Sequence, residues 1–185
     1  MSELWATLNA GLTDDELCTV LRKITAHLRS GSEWLDDFLV EAEGKLHAVL
    51  REDHDPLVWL QACVILAQIC NVSSAARNEL ARCGMLSRLA KVLNESVTSL
   101  ASVDPSSRGH LYEDLTSLPS VTPSSDRGHL YEELVRFVMK MLDHFARGSS
   151  LCIRKFLQYH VLYAVLSVVD YNTSALYVSE ASGMF

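Results

Sequence analysis

The chain has 185 residues, enough for one domain with a sizeable core, and its 49% apolar and 21% charged content fits a folded globular protein rather than a disordered one. A net charge of −7 and a pI near 5.4, with no basic cluster, speak against a nucleic-acid partner. The N-terminal stretch has no basic start leading into an apolar run, and no apolar run approaches the roughly 18 residues of a membrane helix, so the expectation is a cytoplasmic or nuclear protein without membrane contact.

In chain order, "TDDEL" places acidic residues where a helix would begin, at the positive end of its dipole. "GSEWLDDFLVEAEGKLHAVL" predicts a helix capped by Ser32 and running through Val40. A break at Gly44 and a second helix bearing Leu46, Val49 and Leu50 would follow. In "DHDPLVWLQACVILAQICN", Asp55 is a cap and Pro56 suits the first helical position. That helix is apolar around most of its circumference, so it needs neighbours on two sides. "SSAARNELARCGMLSRLAKVLNE" reads as a short helix capped by Ser73 or Ser74, a corner at Gly84, and a second helix from Met85 through Leu93. The step from Gly44 to Gly84 is 40 residues, the scale of armadillo and HEAT helical arrays, in which a unit buries its apolar face only by stacking on the next.

Residues 98–126 turn to Ser, Thr, Pro and Asp, which predicts a loop insertion. Within and after it one phrase occurs twice, Arg108-Gly109-His110-Leu111-Tyr112-Glu113 and Arg127-Gly128-His129-Leu130-Tyr131-Glu132, as if a unit of about eighteen residues had been duplicated. The second copy runs into a helix with apolar residues at 130, 134, 135, 138, 139, 142 and 145, whereas the first ends at Leu118-Pro119 and forms a short helix at most. "SSLCIRKFLQYHVLYAVLSVVD" from Ser149 then repeats the pattern begun at Ser73, an offset of 76, with Arg154 and Leu157 near Arg77 and Leu80 and with His160 near the Gly corner.

Chemistry is sparse. The five cysteines sit in apolar helical patterns and are expected as reduced core residues, and no Cys-x-x-Cys, His-Glu-x-x-His or Gly-x-Ser-x-Gly pattern occurs. No catalytic residue, metal ligand or cofactor is expected, and the chain reads as non-enzymatic. His110 and His129 match because the phrase is duplicated, and Thr122-Pro123 is a lone proline-directed phosphorylation pattern.

From Trp34 to Leu93 the order of short helix, Gly corner, second helix and long third helix resembles an armadillo repeat, carried by "FLVEAEGKLHAVL", "DPLVWLQACVILAQIC" and "RNELARCGMLSRLAKVL". The resemblance implies an all-α, right-handed superhelix of about three to four repeats over residues 1–185, with a loosely ordered insertion, whose stacked third helices line a concave protein-binding face. With Ala62, Leu66 and Ile69 turned to the core, that face would carry Gln61, Val64 and Gln68, and the offset of 76 adds Phe137, Lys140 and His144. Importin-alpha and beta-catenin repeats carry Trp and Asn where this chain has Val64 and Gln68, so a clamp for an extended nuclear-import signal is not implied. The expected partner is a peptide or amphipathic helix. "SGSEWLDDFLVEAEGKLHAVL" is also similar to the armadillo-like regulatory region of diaphanous-type formins, which implies as alternatives a small GTPase or an inhibitory helix as partner. A third alternative is a structural subunit of a large assembly. The ending "VSEASGMF" resembles a unit cut short, suggesting a fragment of a longer array or an open end through which copies associate.

Overall fold

The computed structural model describes residues 5–8, 11–30, 35–51, 53–102 and 127–182. Among them are eight helices and no strand, so the fold is all-α. The helices are α1 (Asp14–Ser30), α2 (Leu35–Val49), α3 (Pro56–Val72), α4 (Ser74–Arg82), α5 (Met85–Ser102), α6 (Arg127–Ala146), α7 (Ser150–Gln158) and α8 (Val161–Ser182).

Helix starts follow local chemistry. Ahead of α1, Thr13 and Glu16 form a reciprocal capping box: the Thr13 N–H donates to Glu16 Oε2 at 2.9 Å, and the Glu16 N–H to Thr13 Oγ1 at 3.4 Å. Asp55 caps α3 through Leu57 N–H, and Pro56 occupies the position where no donor is needed. Ser73 caps α4 and Ser149 caps α7, each accepting from the N–H three residues on. Gly84, at φ +88, and His160, at φ +54, make the left-handed corners that separate α4 from α5 and α7 from α8. Caps and corners therefore both repeat at the offset of 76, with Ser73 matched by Ser149 and Gly84 by His160. In this register Leu80, which is buried, corresponds to the half-buried Phe156, and the exposed Leu157 corresponds to Ala81. The sequence pairing of Arg154 and Leu157 with Arg77 and Leu80 is one residue out.

Like packs on like. Helix α3 lies against α6, α4 against α7, and α5 against α8, while α1 flanks α3 on its other side. Thirteen residues of α3 are buried, which places it at the centre of the stack. One apolar cluster extends from Trp5 and Leu8 through Leu21, Leu66, Leu89 and Val138 to Val168. Four of the five cysteines are buried in or beside it, the fifth is half-buried, and all are free thiols. Burial pushes the Cys63 and Cys70 thiols up to about 12, far from the thiolate form.

Two sequence expectations are corrected. Helix α2 does not break at Gly44 but continues through it to Val49. A mid-helix glycine costs about 1 kcal/mol against alanine, which the burial of Ala42, Leu46 and Val49 outweighs. The loop expected from residue 98 begins later, because α5 runs on to Ser102. Val97 and Leu100 are buried, and the hydroxyls of Ser96, Thr98 and Ser102 donate to carbonyls of their own helix, so Ser/Thr-rich sequence here is helical. The Ser32 cap, Trp34, residues 103–126 with the first copy of the duplicated phrase and Thr122-Pro123, and Met184-Phe185 lie outside the described residues. The second copy, in contrast, opens α6 at Arg127.

Candidate protein-binding surface

Helices α1, α3 and α6 form one layer, tied at both ends. At the N-terminal end Asp14, in the first turn of α1, accepts from the Asp55 N–H through Oδ2 at 2.7 Å and contacts His54 Nδ1 through Oδ1 at 2.7 Å. Asp55 in turn lies 3.7 Å from Arg127 Nη2, the first residue of α6. Burial raises the Asp14 carboxyl, but hydrogen bonds from the Asp55 backbone and His54 outweigh it and leave the group below its ordinary value.

At the C-terminal end Arg77, on α4, donates through Nη2 to the Cys70 carbonyl of α3 at 3.0 Å and through Nη1 to the His144 carbonyl of α6 at 3.4 Å. One guanidinium thus serves the last turns of two neighbouring helices, where unsatisfied carbonyls concentrate negative partial charge. Its planar fork suits two acceptors at once.

The six residues expected on the binding face divide into two groups. Gln61, Val64 and Phe137 are buried, at 8%, 6% and 9% exposure, because neighbouring helices close over those positions. Gln68, Lys140 and His144 are half-exposed and form the open part of the face. Burial and then the Arg77 charge hold His144 below the ordinary histidine value, with Lys140 contributing in the same direction. Its imidazole is therefore neutral near pH 7, able to donate from one nitrogen and accept at the other. The Gln68 Oε1 is buried and accepts no hydrogen bond among the described residues.

Sequence reading missed Arg77 as a tie between helices, since nothing in "SAARNEL" distinguishes a cross-helix donor from a solvated one. The tie from Asp14 to Asp55 was half legible, because Asp55 stood out as a cap. Among the described residues no group of three or more His, Cys, Asp or Glu side chains could hold a metal ion, and no helix is long and apolar enough to cross a membrane. No family model matches the chain, and neither does any curated protein or any solved structure with which it was compared.

Proposed function

We propose that the chain is an armadillo-like superhelical array that acts as a non-enzymatic interaction module in the cytoplasm or nucleus, binding a peptide or amphipathic helix across α3 and α6. The observation that carries this reading is the pairing of three successive helices with their counterparts at an offset of about 76, α3 with α6, α4 with α7 and α5 with α8. Stacking of that kind generates a continuous surface of parallel third helices, the surface arrays use for extended ligands. The open residues fit a polypeptide. Lys140 offers a cation, His144 a neutral donor and acceptor, and Gln68 an amide whose unsatisfied oxygen a partner N–H would relieve after side-chain rotation. Arg77 and Lys140 lie near His144, and Arg147 is paired with Asp143 at 2.8 Å, so the C-terminal end of this face carries a net positive charge that favours a ligand with acidic flanks.

The test is affinity capture from cell extract with identification by mass spectrometry, comparing the native chain with a Gln68→Arg, Lys140→Glu, His144→Glu variant of verified helicity. Loss of a specifically captured protein supports the reading. Capture of the same proteins by both forms would remove this face from consideration and favour a subunit that binds through its ends.

A further inference from the structure

We infer that the C-terminal end of the α3 and α6 face takes up an acidic polypeptide segment together with a proton, the carboxylates settling among Arg77, Lys140 and Arg147 and the proton going to His144. The inference deepens the proposed function and rests on that face being a binding surface.

The chain as a whole is acidic, at −7, yet this end gathers cations. Arg77 directs both terminal nitrogens to neutral carbonyls, those of Cys70 and His144, and has no carboxylate partner among the described residues. Lys140 and Arg147 stand four residues before His144 and three after it, about one turn away on either side. Three cations thus act on one half-exposed imidazole, and the carboxylate that offsets them, Asp143, is already paired with Arg147. No charged group of α5 or α7 among the described residues adds to these, and α3 carries no charged side chain.

The exposure of His144 belongs to the face rather than to the end of the stack. Its counterpart at the offset of 76 is Gln68, which stays half-exposed although α6 lies against α3. Arg147 likewise corresponds to Asn71, which is exposed with α6 in place. Lys140 corresponds to the buried Val64, so it contributes charge more than surface.

In the free protein, burial and the surrounding cations disfavour the imidazolium, and His144 is neutral near pH 7. A carboxylate placed among those cations offsets their field and gives the imidazolium an acceptor, so the bound form keeps its proton to higher pH than the free form. The complex therefore holds more protons than its separate parts. Affinity rises as pH falls from above the ordinary histidine value of 6.5 toward the depressed one. Glutamate side chains, at about 4.3, stay ionised across that window. A basic segment would meet repulsion here, and a neutral one would leave the proton where it was.

Fluorescence anisotropy of a labelled decaglutamate peptide at low ionic strength, between about pH 7.5 and about pH 5.8 and with helicity verified at each point, tests the inference. The dissociation constant should fall about threefold to tenfold over that range, a full unit of change in the His144 pKa being tenfold. His144→Gln should abolish the pH dependence, and Arg147→Gln should weaken binding at every pH. Side-chain NMR should show His144 protonating at higher pH with the peptide than without it. No binding of decaglutamate, an affinity indifferent to pH, or a pH dependence that persists in His144→Gln would overturn the inference. These readouts use a defined peptide, so their failure is separate from failure of the capture experiment, which asks whether the face binds a cellular partner at all.

Discussion

Arg77 and His144 stand 67 positions apart in sequence and are joined by a guanidinium-to-carbonyl hydrogen bond of 3.4 Å, while the same guanidinium holds Cys70 at 3.0 Å. A side chain of the short α4 thereby fixes the spacing of α3 and α6 at their C-terminal ends. Arg77→Ala should cost about 1–3 kcal/mol, the usual range for half-buried hydrogen bonds from a charged donor to carbonyls. Arg77→Lys should recover less than half of it, because an ammonium does not span two acceptors in the way a planar fork does. Urea unfolding monitored by circular dichroism measures both, and equal stability of the Lys variant and the native chain would show that charge alone suffices.

Mild acid should loosen the molecule. Burial and, next, the Arg88 and Arg77 charges hold His47 and His144 respectively below the ordinary histidine value, so near and below that value the unfolded chain binds more protons than the folded one. Their contribution is complete above the ordinary value and is lost as pH falls through the depressed one. His47 also accepts from Arg88 Nε at 3.5 Å through Nε2, a contact that protonation would turn into repulsion. The Tm should fall between about pH 7.5 and about pH 5.5, and His47→Gln and His144→Gln should flatten that slope. Asp14 adds a second, more acidic phase, lost below the ordinary carboxylate value of 3.8.

The two corners differ in an informative way. Gly84→Ala should destabilise by about 1–2 kcal/mol through backbone strain at positive φ, since a Cβ there would meet Tyr159 Oη only at an ordinary 3.7 Å. His160 already bears that strain, and His160→Gly should therefore be stabilising by about 0.5 kcal/mol once the added freedom of the unfolded chain is counted. Paired thermal melts decide it, and a loss of stability in His160→Gly would show that the imidazole contributes more through its neighbours than it costs.

Within α3, Leu66 is fully buried and Gln68 half-exposed. Leu66→Ala should cost about 2–5 kcal/mol by lost transfer energy and a residual cavity. Gln68→Ala should be near neutral, because removing an unsatisfied amide offsets the lost packing. Similar losses for the two would put the helix in a different rotational setting.

The punctuation of the fold was legible because it is local. Asp55-Pro56, Ser73, Gly84 and Ser149 each act within one turn, and each stands where the residue type requires. Gly44 misled because glycine breaks a helix only where the chain must also turn, and the neighbours of Gly44 have an apolar face to bury. The Ser/Thr run at the end of α5 misled because hydroxyls bonded to their own helix are indistinguishable in sequence from those of a loop. For the binding face, periodicity located α3 and α6 and chose one side of each, but not how far flanking helices cover Gln61, Val64 and Phe137. That coverage depends on inter-helix distance, which no spacing within a single helix encodes.

The central position of α3 sets an order of opening. A backbone amide exchanges with solvent only when its own region unfolds, and in a stack each layer is held by its immediate neighbours. Helix α3 has partners on both sides, whereas among the described residues α8 rests chiefly on α5 and α7 and exposes Leu162, Tyr163 and Leu166. Deuterium should therefore enter α8 first and α3 last, a gradient running through the stack from the α8 end inward. Covering that end would slow exchange in α8 without altering it in α3.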